Sequence, residues 1–244
     1  MDGSQSIQQD LKALYDRGLF RQAWDLLEGQ AGPPSNWQDP ELRVIGARLL
    51  HQLGLGRTGD AVLLHTWRRW PAHPEVGYYY LRYLLNRRGP LAALQAMTRD
   101  GEAGFAGTGR HADWLALKAL IHSCYRDWER AHALIDRAWE VDPGNRWTVI
   151  EQASILSRQD RYDEALALVE PLALADQPYR PALQSTADLY QLRGEEERAI
   201  ALLAPQVEAM ESPSIIMQQH ALLLSAQRPE AAAACLRRAR ELIP

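Results

Sequence analysis

The chain has 244 residues, which is long enough for a sizeable core. Hydrophobic residues make up 46% and charged residues 24%, as is usual for a globular protein. A formal net charge of −4 gives no overall attraction to nucleic acid or to an anionic membrane. The N-terminus lacks the basic and apolar regions of a signal peptide, no apolar run approaches the roughly 18 residues of a membrane helix, and the two cysteines form no CxxC motif. We therefore expect a cytoplasmic protein.

The N-terminal part of the chain predicts two irregular helical hairpins, whose first helices start near residues 4 and 40. Ala and Leu dominate the apolar residues and β-branched residues are sparse, which favours helix over strand. Asp39 followed by Pro40 is typical of a helix N-terminus. Residues 54–59 satisfy the GxGxxG pattern, but the segment before them indicates a helix and not the strand that a dinucleotide site needs. We interpret these glycines as a hairpin turn.

A third hairpin is predicted to start near residue 74, and its first helix carries four tyrosines. Residues three and four apart share one face of a helix, so Tyr78, Leu81 and Leu85 are expected to face the partner helix. A second stripe of the same helix consists of Tyr79, Tyr80, Tyr83, Asn86 and Arg87. We expect this second stripe to lie away from the core.

A glycine-rich stretch, residues 100–111, follows the third hairpin. It lacks the Lys-Ser/Thr ending of a phosphate-binding loop. The composition predicts a mobile loop that is able to reach over a neighbouring surface.

Residues 112–244 repeat with a period of 34. Alanine recurs at this interval in two series, which are Ala119, Ala153, Ala187 and Ala221, and Ala131, Ala165 and Ala199. Small residues at these places let helix axes approach closely, as the packing of ridges into grooves requires. Four further hairpins are therefore predicted, with starts near residues 112, 146, 180 and 214. Ser212 before Pro213 indicates the N-terminus of the first helix in the last hairpin.

These segments resemble the tetratricopeptide repeat, a helical hairpin of about 34 residues. The likeness is carried by RDWERAHALIDRAWEVDPGN, residues 126–145, and by DRYDEALALVEPL, residues 160–172. The resemblance implies an all-α fold, a right-handed α-solenoid of about seven hairpins that forms a single domain over residues 1–244. Its hairpins are expected to be irregular over residues 4–111 and regular over 112–244. The third hairpin departs from the pattern, because Arg82 stands where a small residue is expected.

The resemblance also implies that the first helices line a concave groove, which binds a protein or peptide partner. By register, the predicted groove residues are Tyr79, Tyr80, Tyr83, Asn86, Arg87, Trp147, Glu151, Ser154, Arg158, Gln184 and Asp188. Aromatic anchors among amide and charged groups suit an extended peptide. An alternative is that the groove is solvated or filled by a loop. The equivalent positions lack the lysine, asparagine and arginine set that grips a C-terminal carboxylate.

The function predicted for this chain is a non-catalytic interaction scaffold without metal or cofactor, because no acid, base, nucleophile or ligand set is assembled. Arginines near Trp67 and Trp70 are compatible with single-stranded nucleic acid, but the acidic net charge favours ion pairing or stacking on the rings. The chain also looks like the array that precedes a papain-like cysteine peptidase of the bacteriocin-leader type in large bacterial proteins. In that alternative it captures substrate for a catalytic domain beyond residue 244.

The last hairpin is expected to support self-association. A solenoid needs a polar terminal face for solubility. The outer face of this hairpin is predicted to expose Leu223 and Leu224, which would favour contact with another chain or domain.

Overall fold

The computed structural model describes residues 2–243, with side chains from residue 7 onward, and this part of the chain is built from α-helices. The helices are α1 Asp2–Asp16, α2 Phe20–Ala31, α3 Pro40–Gln52, α4 Gly56–Arg69, α5 Pro74–Arg88, α6 Pro90–Asp100, α7 His111–Cys124, α8 Trp128–Val141, α9 Arg146–Ser157, α10 Tyr162–Ala173, α11 Arg180–Leu192, α12 Glu196–Ala209, α13 Pro213–Ser225 and α14 Pro229–Glu241. A short 3-10 helix, Pro34–Asn36, follows α2, and within residues 2–243 an isolated bridge between Leu19 and Glu211 is the only β-type pairing. The all-α fold and the seven predicted hairpins are confirmed.

Local sequence explains several helix boundaries. Asp39 accepts a hydrogen bond from the Leu42 backbone N–H at 2.8 Å, which confirms it as the N-cap of α3. Asn145 caps α9 through the Thr148 N–H at the same distance. Ser212 occupies the predicted N-cap position of α13, but its hydroxyl lies 3.1 Å from the hydroxyl of Ser214 and does not cap the helix.

Each of the seven hairpin turns contains one residue with a left-handed backbone, with φ between 57° and 86°. These residues are Gly18, Gly54, Gly89, Arg126, Asp160, Gly194 and Gln227. In the turn after α9, the N–H of Arg161 then donates to the Leu156 carbonyl at 3.0 Å and closes the helix end. Three of the seven residues are not glycine and pay a steric cost of about 1–2 kcal/mol for this conformation.

Alignment of the hairpins on these turn residues corrects one member of the predicted alanine series. Ala119, Ala153 and Ala187 are buried, as predicted. The left-handed residue of the last turn, Gln227, follows Gly194 by 33 positions and not by 34. His220, and not Ala221, therefore takes the equivalent place in α13. Ala221 is exposed, whereas the His220 ring lies within hydrogen-bond distance of the Ala232 carbonyl, at 2.8 Å.

The helices form two compact units. The first contains the residues up to Val62 together with those from Glu170 onward, and the second contains Leu63–Val169. The two boundaries fall inside α4 and α10, which are continuous helices. That the whole chain forms one solenoid stays a prediction.

In the first unit, the turn of the first hairpin contacts the connection between α12 and α13. The Glu211 backbone N–H donates to the Gly18 carbonyl at 3.0 Å. The Glu211 carboxylate accepts from the backbone N–H of Gln22 at 2.9 Å and from its side-chain amide at 3.0 Å. Leu19, the residue before α2, has no polar side chain to cap that helix, so Glu211 supplies the carboxylate from a distant part of the sequence.

The second unit is built around α7. This helix contacts α5, α6, α8 and α9, and its buried side chains point in all directions around its axis. Trp114, Leu115, Leu117 and Ile121 are among the buried core residues that it contributes. A helix that is apolar around its whole circumference is stable only when neighbours enclose it. The core of the second unit therefore lies on α7.

Candidate functional site

The four tyrosines of α5 divide into a buried one and three that are partly exposed. Tyr78 is 2% exposed and belongs to the core cluster around α7. Leu81 is buried in the same cluster, and Leu85 packs against it. The prediction that Tyr78, Leu81 and Leu85 face the core is confirmed.

Tyr80 and Tyr83 lie in a row of aromatic rings with Trp67 at the end of α4. The ring centroids of Trp67 and Tyr80 are 4.0 Å apart with an interplanar angle of 10°, which is a stacked pair. Tyr80 and Tyr83 follow at 6.3 Å and 18°. All three side chains are half-buried. We name Trp67, Tyr80 and Tyr83 the aromatic column.

Tyr79 has different neighbours, although the sequence places it on the same stripe of α5. Its ring meets the Tyr78 ring edge-on at 5.1 Å, and the guanidinium of Arg110 lies 5.3 Å from its centroid. It also packs against the core cluster. The structure therefore brings Tyr80 and Tyr83 together with Trp67, and Tyr79 together with Arg110.

Arg82, the residue that breaks the repeat pattern, connects α5 to α9. Its guanidinium donates to the Glu151 carboxylate at 2.9 Å and lies 4.5 Å from the centroid of the Trp147 ring. Glu151 is 2% exposed. Burial raises the pKa of its carboxyl, while the charge of Arg82 acts in the opposite direction. Glu151 and Trp147, both predicted groove residues, are thus engaged by a side chain of this protein.

A second polar cluster, which the sequence did not predict, surrounds Arg110 at the start of α7. Arg110 forms ion pairs with Glu75 of α5 and with Asp113 one turn along α7. The other oxygen of the Asp113 carboxylate accepts from the side-chain amide of Asn145 at 2.9 Å. Asp113 is buried, and these partners satisfy both of its oxygens. The residues that meet here are up to 70 positions apart in the sequence, so no local sequence pattern could predict the cluster.

The remaining predicted groove residues lie at the surface or are partly buried. Asn86, Arg87 and Arg158 are exposed, and the Ser154 hydroxyl donates to the Ile150 carbonyl of its own helix at 2.9 Å. In the first unit, the side-chain amide of Gln218 donates to the Gln184 carbonyl at 3.0 Å and to the Asp188 carboxylate at 2.6 Å. Their contact with a partner stays a prediction.

The glycine-rich loop between α6 and α7 is packed against the second unit. Phe105 is buried, and its ring stacks on Trp114 at 5.7 Å. Glu102 lies 2.8 Å from the His111 ring nitrogen and accepts from Arg137 at 2.6 Å. The sequence predicted a loop that reaches over a neighbouring surface. This predicted placement is wrong, because the buried Phe105 ring anchors the loop on the core.

Metal-ligand clusters and membrane-spanning helices are absent from the described part of the chain. The described side chains, those of residues 7–243, include no group of three or more His, Cys, Asp or Glu that could hold a metal ion. The Cys124 thiol donates to the Leu120 carbonyl of its own helix, and burial raises the pKa of the Cys235 thiol. None of the described helices has both the length and the apolar character that a membrane span needs.

Comparison with known proteins confirms the resemblance to tetratricopeptide repeats and the helical-repeat fold. Residues 125–186 match the family model described as tetratricopeptide repeat. A tetratricopeptide repeat protein from Parabacteroides merdae is similar in structure, with a TM-score of 0.56 and 15% identity over 98% of this chain and 92% of that one. The search of curated proteins found no match.

Two further structures match this chain at lower similarity. The MamA RS-1 ArsTM double mutant has a TM-score of 0.43 and 16% identity over 70% of this chain and 94% of that chain. The APC/C hetero-tetramer Cut9-Hcn1 has a TM-score of 0.38 and 12% identity over 99% of this chain and 54% of that chain.

Proposed function

We propose that this tetratricopeptide-repeat chain is an interaction scaffold that binds a protein or peptide partner and carries out no chemistry itself. The observation that supports this most directly is the aromatic column. Trp67, Tyr80 and Tyr83 are half-buried and stacked on one another, outside the core cluster that contains Tyr78. Tyr and Trp are enriched among the residues that dominate binding energy at interfaces.

The stacking makes these rings suitable as binding anchors. A side chain that is already fixed in the free protein loses little conformational entropy when a partner arrives. Tyr80 is held between Trp67 and Tyr83, so its ring position is set before binding. Asn86 and Arg87 are exposed one turn further along α5 and add polar contacts.

The other predicted groove residues have two different roles in this proposal. Tyr79, Ser154, Arg158, Gln184 and Asp188 are proposed to contact the partner. Glu151 and Trp147 are proposed to support the site from within, because Arg82 engages both of them. A buried carboxylate bonded to an arginine is costly to expose, so we do not expect Glu151 to leave Arg82 for a partner.

The test uses Tyr83→Ala against a matched control, Tyr125→Ala. Tyr125 lies in the turn after α7 and is 48% exposed, so its loss removes the same ring from another surface of the second unit. A partner is captured from a lysate of the source organism, purified and titrated against each variant. Tyr83→Ala should weaken binding by about 1–4 kcal/mol, and Tyr125→Ala should leave it unchanged. Equal affinities for all variants, extended to Tyr79→Ala and Tyr80→Ala, would contradict the proposed site.

Self-association through the last hairpin is proposed on a separate observation. Leu236 and Ile243 of this hairpin are 44% and 49% exposed. The equivalent residues of the preceding hairpin, Leu203 and Met210, are buried. Leu224 is exposed as predicted, but the prediction for Leu223 is wrong, because Leu223 is buried.

The self-association proposal is tested by sedimentation velocity at increasing protein concentration. The wild type should form dimers or larger species. Leu236→Glu should remain a monomer, because a charge cannot be buried in an apolar contact without a partner. A monomeric wild type at every concentration, or an unchanged Leu236→Glu oligomer, would refute it.

A further inference from the structure

The aromatic column lies in a segment whose charge is opposite to that of the whole chain. Residues 63–100 contain six arginines, no lysine and two carboxylates, a formal charge of +4, whereas the chain carries −4. Glu75 pairs with Arg110, outside the segment, and Asp100 pairs with Arg99, inside it. Within this segment, Asp100 thus neutralises Arg99, and the segment keeps a positive formal charge.

Five of the six arginines are exposed on α4, α5 and α6, of which α4 and α5 carry the column. They are Arg68, Arg69, Arg87, Arg88 and Arg99, and we name them the basic rim. Arg68 follows Trp67 directly, and Arg87 lies one turn beyond Tyr83 on the same face of α5. Asp100 raises the pKa of Arg99, and Tyr80 contributes in the same direction, which places Arg99 near the aromatic column. Arg69 lies 4.5 Å from the centroid of the Trp70 ring, which adds a fourth aromatic side chain to this surface.

We infer that the aromatic column and the basic rim bind an extended acidic peptide, with its apolar residues against the rings and its carboxylates against the arginines. Arginine suits this role because its planar guanidinium forms two parallel hydrogen bonds to a carboxylate. The half-buried rings supply apolar area between the charged contacts. The inference rests on the proposed scaffold function and specifies the chemistry of the partner.

Single-stranded nucleic acid is the other polymer that basic and aromatic residues bind. Such proteins stack each base on an open aromatic face. Trp67 and Tyr80 cover one face of each other at 4.0 Å, so these two ring faces are closed to a base. Ring edges and tyrosine hydroxyls suit aliphatic side chains and peptide carbonyls. The acidic charge of the whole chain also opposes a polyanion much longer than the surface.

The experiment selects short random peptides, displayed on phage, on the full chain. Enriched peptides are synthesised with a fluorescein label and titrated by anisotropy at low and high salt. The test variant is the double charge reversal Arg68→Glu with Arg88→Glu. The matched control is Arg126→Glu with Arg130→Glu, which makes the same charge change at exposed sites in the turn after α7 and at the start of α8. Circular dichroism melts verify that both variants are folded.

The enriched pool should contain more Asp and Glu than the starting library, and affinity should fall as salt rises. The Arg68 and Arg88 reversal should weaken binding by about tenfold or more, and the control reversal by much less. A pool without excess acidic residues, or equal losses in both reversals, would overturn the inference. If those peptides still lose binding with Tyr83→Ala, the scaffold proposal stands. If no peptide is enriched at all, the acidic-peptide inference fails, whereas the scaffold proposal is decided by the titration of the captured partner.

A labelled oligo(dT) separates the two polymers. The oligonucleotide should neither bind this surface nor displace the selected peptides. Displacement that disappears in the Arg68 and Arg88 reversal would show that the surface binds nucleic acid and would overturn the acidic-peptide inference.

Discussion

The third hairpin and the regular hairpins carry different residues at the same position of the first helix. At the equivalent place in the first helix, the regular hairpins bury Ala119, Ala153 and Ala187, whereas the third hairpin has Arg82. The small side chains of the alanines let neighbouring helices approach closely. Arg82 instead reaches Glu151 of α9 and covers Trp147. A departure from a repeat pattern thus marks the place where specific side-chain contacts, and the proposed site, are concentrated.

The largest effect should come from the buried tyrosine of the third hairpin. Tyr78→Ala removes a ring that is 2% exposed and should lower the free energy of unfolding by about 3–5 kcal/mol. Tyr83→Ala removes a half-buried ring of the aromatic column and should cost about 1–2 kcal/mol or less. Urea melts of the two variants measure the difference. If Tyr83→Ala is as destabilising as Tyr78→Ala, the column belongs to the core and is not a prepared surface.

Removal of Arg82 should have the next largest effect. Arg82→Ala leaves the Glu151 carboxylate buried without its counter-charge, which should cost about 2–4 kcal/mol at neutral pH. The loss should shrink at acidic pH, where Glu151 is protonated. Arg88→Ala, an exposed arginine of the same helix, serves as the control and should stay within about 0.5 kcal/mol of the wild type. If Arg82→Ala leaves the free energy of unfolding unchanged, the contact of Arg82 with Glu151 does not distinguish this hairpin from the regular ones.

The pH dependence of stability tests the environment of Glu151. Its carboxyl has a raised pKa in the folded chain because of burial. A raised pKa means that this group stabilises the fold below the unfolded pKa, about 4.3, and that this contribution is lost as pH rises through the folded pKa. Wild type and Glu151→Gln should therefore be most similar in stability at low pH. Denaturant melts across the pH range should then show the wild type falling relative to Glu151→Gln.

The opposite trend would show that Arg82 outweighs burial at this carboxyl. In that case the wild type would gain stability relative to Glu151→Gln as pH rises. The contact between α5 and α9 would then be a strongly favourable ion pair and not one limited by desolvation.

The smallest effects are expected in the turns of the regular hairpins. Arg126 and Gly194 occupy equivalent left-handed positions. Arg126→Gly should stabilise the chain by about 0.5–1 kcal/mol, because glycine enters this region without steric cost. Gly194→Ala should destabilise it by about 1 kcal/mol, since a Cβ there meets no neighbouring atom and only the backbone strain remains. Thermal melts that gave the same sign for both variants would show that the turns are not equivalent.

The helices and their boundaries were predictable because their signals are local. Pro40 after Asp39, and the glycines at 18, 54, 89 and 194, act within one turn of the chain. The error at Ala221 arose because a repeat shorter by one residue leaves the alanine spacing intact by coincidence while it shifts the helix face. Phe105 was missed because one buried ring outweighs the flexibility of several glycines around it.

The site was only partly predictable because its contacts join distant residues. Helical spacing correctly separated Tyr78 from the other tyrosines. It could not separate Tyr79 from Tyr80 and Tyr83, since that division depends on where Trp67 and Arg110 lie. The Arg82 and Glu151 pair joins residues 69 positions apart, and no local pattern contains such information.

Hydrogen–deuterium exchange on the complex with a bound partner shows directly where the partner binds. We expect the partner to slow exchange of backbone amides in residues 63–100, which carry the aromatic column and the basic rim. Amides in the turn after α7, around Tyr125, should exchange at the same rate with and without the partner. Protection confined to other segments, with residues 63–100 unchanged at saturation, would contradict the assignment of this surface as the binding site.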